Sequence, residues 1–305
     1  MVSYDLLWRK LLKDTTVPRD VISLLQHWYG NQKNSYVMHC GVRQGGLSSP
    51  TLFNLYMNGL IEELSSACVG CHIEHVCVNN LSYADDMVLL SPSMGGLIKL
   101  LGICEGYAEA HGLRYNASKS ELLQFKSGNK SYRMQEAKLC GTPLKRVDKF
   151  KYLGHWVTDT LSDNEDIERE RRALCVRCNM LSRRFARGSK EVKLILFKAF
   201  CQTFYTCGLW ANFTQRAYSA LRVQYNDAFR MLFRLPRYCS ASAMFAEAQT
   251  DCFFAIMRKR CASLLNRSRS STNSILSTLA QRWDSPLVKR CVQLHSPVAV
   301  PPRKL

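Results

Sequence analysis

A chain of 305 residues, 47% of them apolar, can bury one large core or two smaller ones. Fourteen cysteines without an apolar run of signal length at the start, and no stretch near the ~18 uncharged apolar residues of a membrane span, exclude secreted and membrane-spanning classes and point to an intracellular, nuclear or cytoplasmic protein with free thiols. The net charge of +18 is uneven: residues 1–160 carry 17 Lys/Arg against 14 Asp/Glu, and residues 161–305 carry 25 against 10. Such a surplus on one half fits a counterion-releasing surface for nucleic acid, the alternative being a solvated basic face or tail.

In chain order, residues 4–14 place Leu7, Leu11 and Leu12 on one side of a helix, and residues 21–28 predict a second short one. Residues 34–40 alternate loosely as a strand, and residues 41–50 form a Gly- and Ser-rich loop. Leu52, Phe53, Leu55, Tyr56, Leu60, Ile61 and Leu64 predict a helix over 51–64. Residues 72–78, a turn at Asn79-Asn80, then residues 81–83 and 87–90 are expected as short strands around tight turns. Leu97, Leu100, Leu101, Cys104 and Ala108 form a helical stripe that Gly112 should stop. Further strands are expected over 120–125 and 152–157.

The pattern changes near Ser162. Asp163, Asn164 and Glu165 lead into an Arg-rich helix with Arg169, Arg171, Arg172, Arg177, Arg183, Arg184 and Arg187. The next helix, over about 191–205, is apolar nearly all round and should be buried. Residues 268–274 are expected as a linker and 297–305 as a frayed tail, while Trp210, Phe229, Phe233 and Trp283 are assigned to the core.

The sharpest local feature is Tyr83-Ala84-Asp85-Asp86 with apolar residues on both sides. Neighbouring residues of a regular strand face opposite ways, so two adjacent carboxylates share a site only at a tight turn. A hairpin tip would present both acids, and their mutual repulsion calls for a compensating cation. Magnesium suits such oxygen ligands. The alternative is a solvated Asp-Asp turn.

Together with three other blocks, this one resembles the reverse transcriptases of LINE-type (non-LTR) retrotransposons, in order over roughly residues 1–160. The segment Gly41-Val42-Arg43-Gln44-Gly45-Gly46-Leu47-Ser48-Ser49-Pro50, followed by Leu52-Phe53-Asn54, is similar to the loop and helix that seat the nascent base pair. The family often has Asp-Pro where this chain has Gly46-Leu47. Gly112-Leu113 with Asn116, Lys119 and Ser120 resembles the next block, and Tyr152-Leu153-Gly154 resembles the turn that grips the primer end. The resemblance implies Asp85 and Asp86 as catalytic acids binding Mg²⁺ in a two-ion site, and Lys119 as a group that protonates departing pyrophosphate. It implies Arg43, Gln44, Gly45 and Tyr83 as nucleotide- and template-binding residues. The implied partners are an RNA template, a DNA primer and deoxynucleoside triphosphates.

The family's upstream Phe-Asp block has no counterpart: aligned on Met1-Val2-Ser3-Tyr4-Asp5-Leu6-Leu7, its metal-binding aspartate would fall before Met1, and Asp5 lies at the start of the following helix. The expectation is an N-terminally truncated, catalytically impaired copy; a misplaced first methionine is the alternative. Cys68-Val69-Gly70-Cys71-His72 and Cys175-x-x-Cys178 are assigned to packing over haem or zinc. The expected fold is α+β: a partial polymerase palm of antiparallel sheet and helices (1–158), lacking fingers and first catalytic strand, then an all-helical thumb (159–237) and a basic helical extension (238–305). The competing function is a non-catalytic nucleic-acid-binding protein derived from the element.

Overall fold

The computed structural model describes residues 2–13, 17–31, 46–126 and 135–296. The strand expected over 34–40, the loop residues Arg43, Gln44 and Gly45, and the tail from 297 lie outside the described residues. Helices and short strand pairs are mixed, and no described helix is long and apolar enough to cross a membrane.

The chain separates into two compact units, Met1–Leu122 with Tyr132–Lys145, and Leu123–Ser131 with Arg146–Leu305. In the first, helices α1 (Tyr4–Lys13), α2 (Arg19–Gly30), α3 (Ser49–Ser66) and α4 (Met94–Ala110) surround apolar clusters. Helix α3 opens with Pro50 in its first turn and buries Leu52, Tyr56, Leu60 and Leu64, four residues on one stripe. Lys10 of α1 ties the helices together: its ammonium donates to the Tyr56 carbonyl at 2.7 Å and lies 5.1 Å from the centre of the Tyr107 ring on α4. Burial lowers the Lys10 pKa. Ser93 caps α4 by accepting from the Gly96 amide, and Gly112 takes φ +61° just past its end, as expected.

Strands β1 (Cys71–Ile73), β2 (Val76–Val78), β3 (Asn80–Tyr83) and β4 (Asp86–Leu89) form two antiparallel hairpins, β1–β2 and β3–β4. Residues 72–78 are therefore not one strand. The chain reverses at Glu74-His75, with Glu74 at φ +55°, a turn that carries no Gly, Asn or Asp signal. Strands β5 (Glu121–Leu123), β6 (Lys138–Leu139), β7 (Thr142–Pro143) and β8 (Lys145–Val147) pair as β5 with β8 and β6 with β7. Among the described residues the sheet exists as two-stranded pairs.

The second unit opens with the antiparallel hairpin of β9 (Lys149–Tyr152) and β10 (His155–Thr158). Helices α5 (Asn164–Arg184), α6 (Lys190–Cys201), α7 (Gln215–Phe233), α8 (Ala241–Glu247), α9 (Phe253–Arg269), α10 (Ser274–Gln281) and α11 (Pro286–His295) follow. Helix α5 buries Ile167, Leu174, Cys178 and Leu181 against Leu221, Tyr225 and Phe229 of α7 and Phe197 of α6. Each such side chain contributes roughly 1.5–3 kcal/mol on leaving water.

Two expectations fail here and the bounds of a third shift. Helix α6 buries only Phe197 and Cys201 and exposes Val192, Ile195 and Phe200, because a single face meets the core. The linker expected over 268–274 is present but shorter, at residues 270–273 between α9 and α10, because Ser268 is buried within α9. Trp283 is 79% exposed, whereas Trp210 and Phe229 are buried as expected.

Candidate active site

The carboxylate pair sits where a two-residue loop closes the β3–β4 hairpin. Tyr83 pairs with Asp86, leaving Ala84 and Asp85 at the tip. Ala84 takes φ +52°, the positive value that the first central residue of a type II′ turn requires and that a side chain resists. Both acids are exposed. Residues directly opposite on an antiparallel pair share a face. Met87 and Leu89 pack into the cluster of Leu60, Leu64, Leu100, Cys104 and Tyr107, which fixes the inner face of the hairpin. Asp86 and Tyr83 consequently lie on the other face, where Tyr83 is 65% exposed.

The base of the hairpin is held by a residue that sequence reasoning assigned only to a turn. Asn79 is 2% exposed, and its amide donates to the Leu64 carbonyl at the end of α3 (2.6 Å) and to the Val69 carbonyl (2.9 Å). Its own carbonyl accepts from the Leu90 amide at 2.8 Å. The Leu64 carbonyl, which also accepts from the Ala67 amide, thereby gains a second donor, and the acid hairpin is anchored to α3. Burial of a polar side chain is the only signal for this role, and it is a tertiary one.

Lys119 closes a single 3-10 turn, Ala117–Lys119, capped by Asn116, whose side chain accepts from the Lys119 amide at 3.3 Å. Its ammonium end is exposed. Tyr115, just upstream, packs in the same cluster as Met87 and Leu89, so the Lys119 turn and the acid hairpin rest on common apolar ground. Arg43, Gln44 and Gly45 lie outside the described residues. Asp5 occupies the exposed first turn of α1. Among the described residues no three His, Cys, Asp or Glu side chains gather as a metal cluster.

In the second unit, Tyr152, Leu153 and Gly154 form the tip of the β9–β10 hairpin. Leu153 (φ +46°) and Gly154 (φ +85°) are its two central residues, both in the left-handed region as a type I′ turn demands. The Tyr205 hydroxyl donates to the Leu153 carbonyl at 2.7 Å. A Cβ at Gly154 would stand 3.0 Å from the Tyr205 ring.

Behind this turn is a fully buried acid. Asp166, in the first turn of α5, accepts from the Trp156 amide (3.2 Å), Arg169 Nε (2.7 Å), Thr206 Oγ1 (2.8 Å) and Trp210 Nε1 (2.8 Å), with His155 Nδ1 at 3.2 Å. Burial pushes its pKa upward, but the His155 ring and the hydrogen bonds from Arg169, Trp210 and Thr206 outweigh that and hold the carboxyl well below the usual range. Glu170, also buried, pairs with Arg169 at 3.0 Å and with Arg177. Arg171 and Arg172 share Glu168. The seven arginines of α5 and its exit thus divide: Arg169, Arg171, Arg172 and Arg177 have acid partners, while among the described residues Arg183, Arg184 and Arg187 are exposed with none.

Residues 2–157 match the family model described as reverse transcriptase (RNA-dependent DNA polymerase). The chain is 32% identical over 134 residues to the Retrovirus-related Pol polyprotein from type-2 retrotransposable element R2DM of Drosophila melanogaster, covering 41% of this chain and 12% of that polyprotein. It is 27% identical over 132 residues to the corresponding polyprotein from type-1 retrotransposable element R2 of Popillia japonica, covering 41% of this chain and 22% of the relative. The chain therefore spans a small part of the curated relatives it matches.

Proposed function

The chain belongs to the reverse transcriptase family, in the branch of non-LTR retrotransposons, and from that premise we propose that it carries the acid pair, the nucleotide loop and the primer turn of an RNA-directed DNA polymerase. On this reading residues 1–158 are palm, 159–237 thumb and 238–305 a basic extension. The observation that carries it is the β3–β4 hairpin, which presents Asp85 and Asp86 at one tight turn, with Asp86 and Tyr83 on the face opposite the apolar cluster.

Two exposed carboxylates are hard oxygen donors of the kind that hold magnesium jointly with substrate phosphates. Bound there, magnesium would activate the primer 3′-hydroxyl and neutralise charge on the leaving pyrophosphate. The chain's own residues supply the rest. Arg43 and Gln44 offer donors to the incoming nucleotide, and Gly45 lets the backbone approach it. Tyr83 offers a ring face beside the reacting end. Lys119 gives a proton to the departing pyrophosphate oxygen. Residues 152–154 hold the primer end on the RNA template.

The test is single-nucleotide incorporation on an RNA template with a DNA primer, in magnesium and in manganese. A catalytically impaired copy should incorporate nothing; any incorporation by the wild type that Asp85→Asn or Asp86→Asn lowers by at least about a hundredfold, the cost of a misplaced reacting group, overturns the impairment and assigns the chemistry to the acid pair. Incorporation that survives both substitutions would remove the acid pair from the chemistry. The exposed trio Arg183, Arg184 and Arg187, with no acid partner among the described residues, favours a second reading, a non-catalytic nucleic-acid-binding protein. Salt-sensitive RNA binding that ignores Asp85→Ala, with no synthesis, would select it.

A further inference from the structure

Tyr205 lies in a stretch of backbone under strain. Phe204 takes φ +35° and Thr206 φ +64°, so two residues with side chains occupy the left-handed region on either side of it. Such conformations are costly and persist only where surrounding contacts fix them. Here those contacts are explicit. Thr206 Oγ1 donates to buried Asp166 at 2.8 Å, and Arg169, itself bound to Asp166, donates to the Tyr205 carbonyl at 3.3 Å and stacks 5.9 Å from the Tyr205 ring.

The strained stretch aims one group at one target. The Tyr205 ring is 54% exposed, yet its hydroxyl reaches the Leu153 carbonyl at 2.7 Å, and the absence of a side chain at Gly154 makes room for the ring. Asp166 also binds the other end of this arrangement, accepting from the Trp156 amide on the strand that leaves the turn. One buried carboxylate therefore locks both the hairpin and the tyrosine that braces its tip. A folding role alone would not require an exposed ring to span to an exposed turn.

We propose that Tyr205 is a positioning residue for the primer 3′ end: it braces the Leu153–Gly154 turn, and Asp166 sets Tyr205. The inference rests on the reading of residues 152–154 as the primer-gripping turn, and it adds the device that fixes that turn from within the helical segment. The ligand is the terminal nucleotide of a primer annealed to template.

The experiment uses the full chain and an RNA template annealed to a DNA primer ending in 2-aminopurine. Anisotropy reports hybrid affinity, and 2-aminopurine emission reports placement of the terminus. Wild type should bind and change the emission. Tyr205→Phe, which removes one hydroxyl, should keep the affinity within about twofold and the melting temperature of wild type, yet lose at least half of the emission change. Gly154→Ala, which displaces the ring, should lose the emission change too, with a lower melting temperature because its Cβ is strained at φ +85°. A full emission change in Tyr205→Phe would overturn the role of Tyr205 and leave the primer-turn reading standing. Wild type that binds the hybrid with no emission change, or binds none, would overturn the primer-turn reading and this inference with it.

Discussion

At the scale of single residues, buried Asp166 ties pH to stability through its four hydrogen-bond donors. Its pKa in the folded chain is depressed, so the ionised form stabilises the fold above the ordinary carboxylate range, near pH 4, and that stability is lost as pH falls through the folded-state value. Asp163, whose pKa burial raises, acts in the opposite sense, its contribution being lost as pH rises. The difference between wild type and Asp166→Asn isolates the first effect: the substitution should lower stability at pH 7 by about 3–5 kcal/mol, because it strips the buried Arg169 pair of its charge, and should flatten the loss between about pH 4 and pH 2. Thermal melts across that range check both. Gly154→Ala is the second residue-scale case. A Cβ at φ +85° beside the Tyr205 ring should destabilise by more than about 1 kcal/mol in chemical denaturation. The left-handed demand at Gly154 is legible in Tyr-Leu-Gly; its contact with a residue 51 positions later is not.

At the scale of elements, α5 shows why a count of arginines misleads. Arginines on the Asp166 and Glu170 side serve the fold, and those at the C-terminal end point to solvent. Arg177→Ala should lower the melting temperature, since it leaves buried Glu170 with one partner fewer. The triple substitution of Arg183, Arg184 and Arg187 by Ala should leave the melt unchanged and reduce the salt dependence of nucleic-acid binding. Each lost phosphate contact lowers the log–log slope by about 0.7–0.9, and filter binding between about 50 and 200 mM salt reads it. The acids Asp166, Glu168 and Glu170 look in sequence like a solvated first turn. The fold instead inserts two of them into the core, where they select which arginines stay home. The β3–β4 hairpin was more legible: apolar residues flanking Tyr83-Ala84-Asp85-Asp86 leave few ways to bring the acids to one bend.

At the scale of the molecule, the basic surplus of residues 161–305 belongs wholly to the second unit, whose buried cluster runs from Ile167 to Met257. Residues 123–305 expressed alone should therefore melt cooperatively and retain salt-sensitive binding of nucleic acid, as calorimetry and anisotropy would show. A composition shift near Ser162 marks where strands give way to helices, but Trp156 and His155 bind Asp166, so the β9–β10 hairpin groups with the helices that follow.

The family, the tight turn that carries Asp85 and Asp86, most helices and the basic half of the chain are legible in the order of residues, because these depend on local spacing, turn chemistry and summed charge. Tertiary structure alone decided that Asn79 anchors the acid hairpin, that Asp166 is buried among hydrogen-bond donors, that Tyr205 reaches Leu153 and that Trp283 faces solvent. Those depend on which polar groups meet inside the fold, and a buried hydrogen bond joins residues whose distance along the chain carries no trace of it.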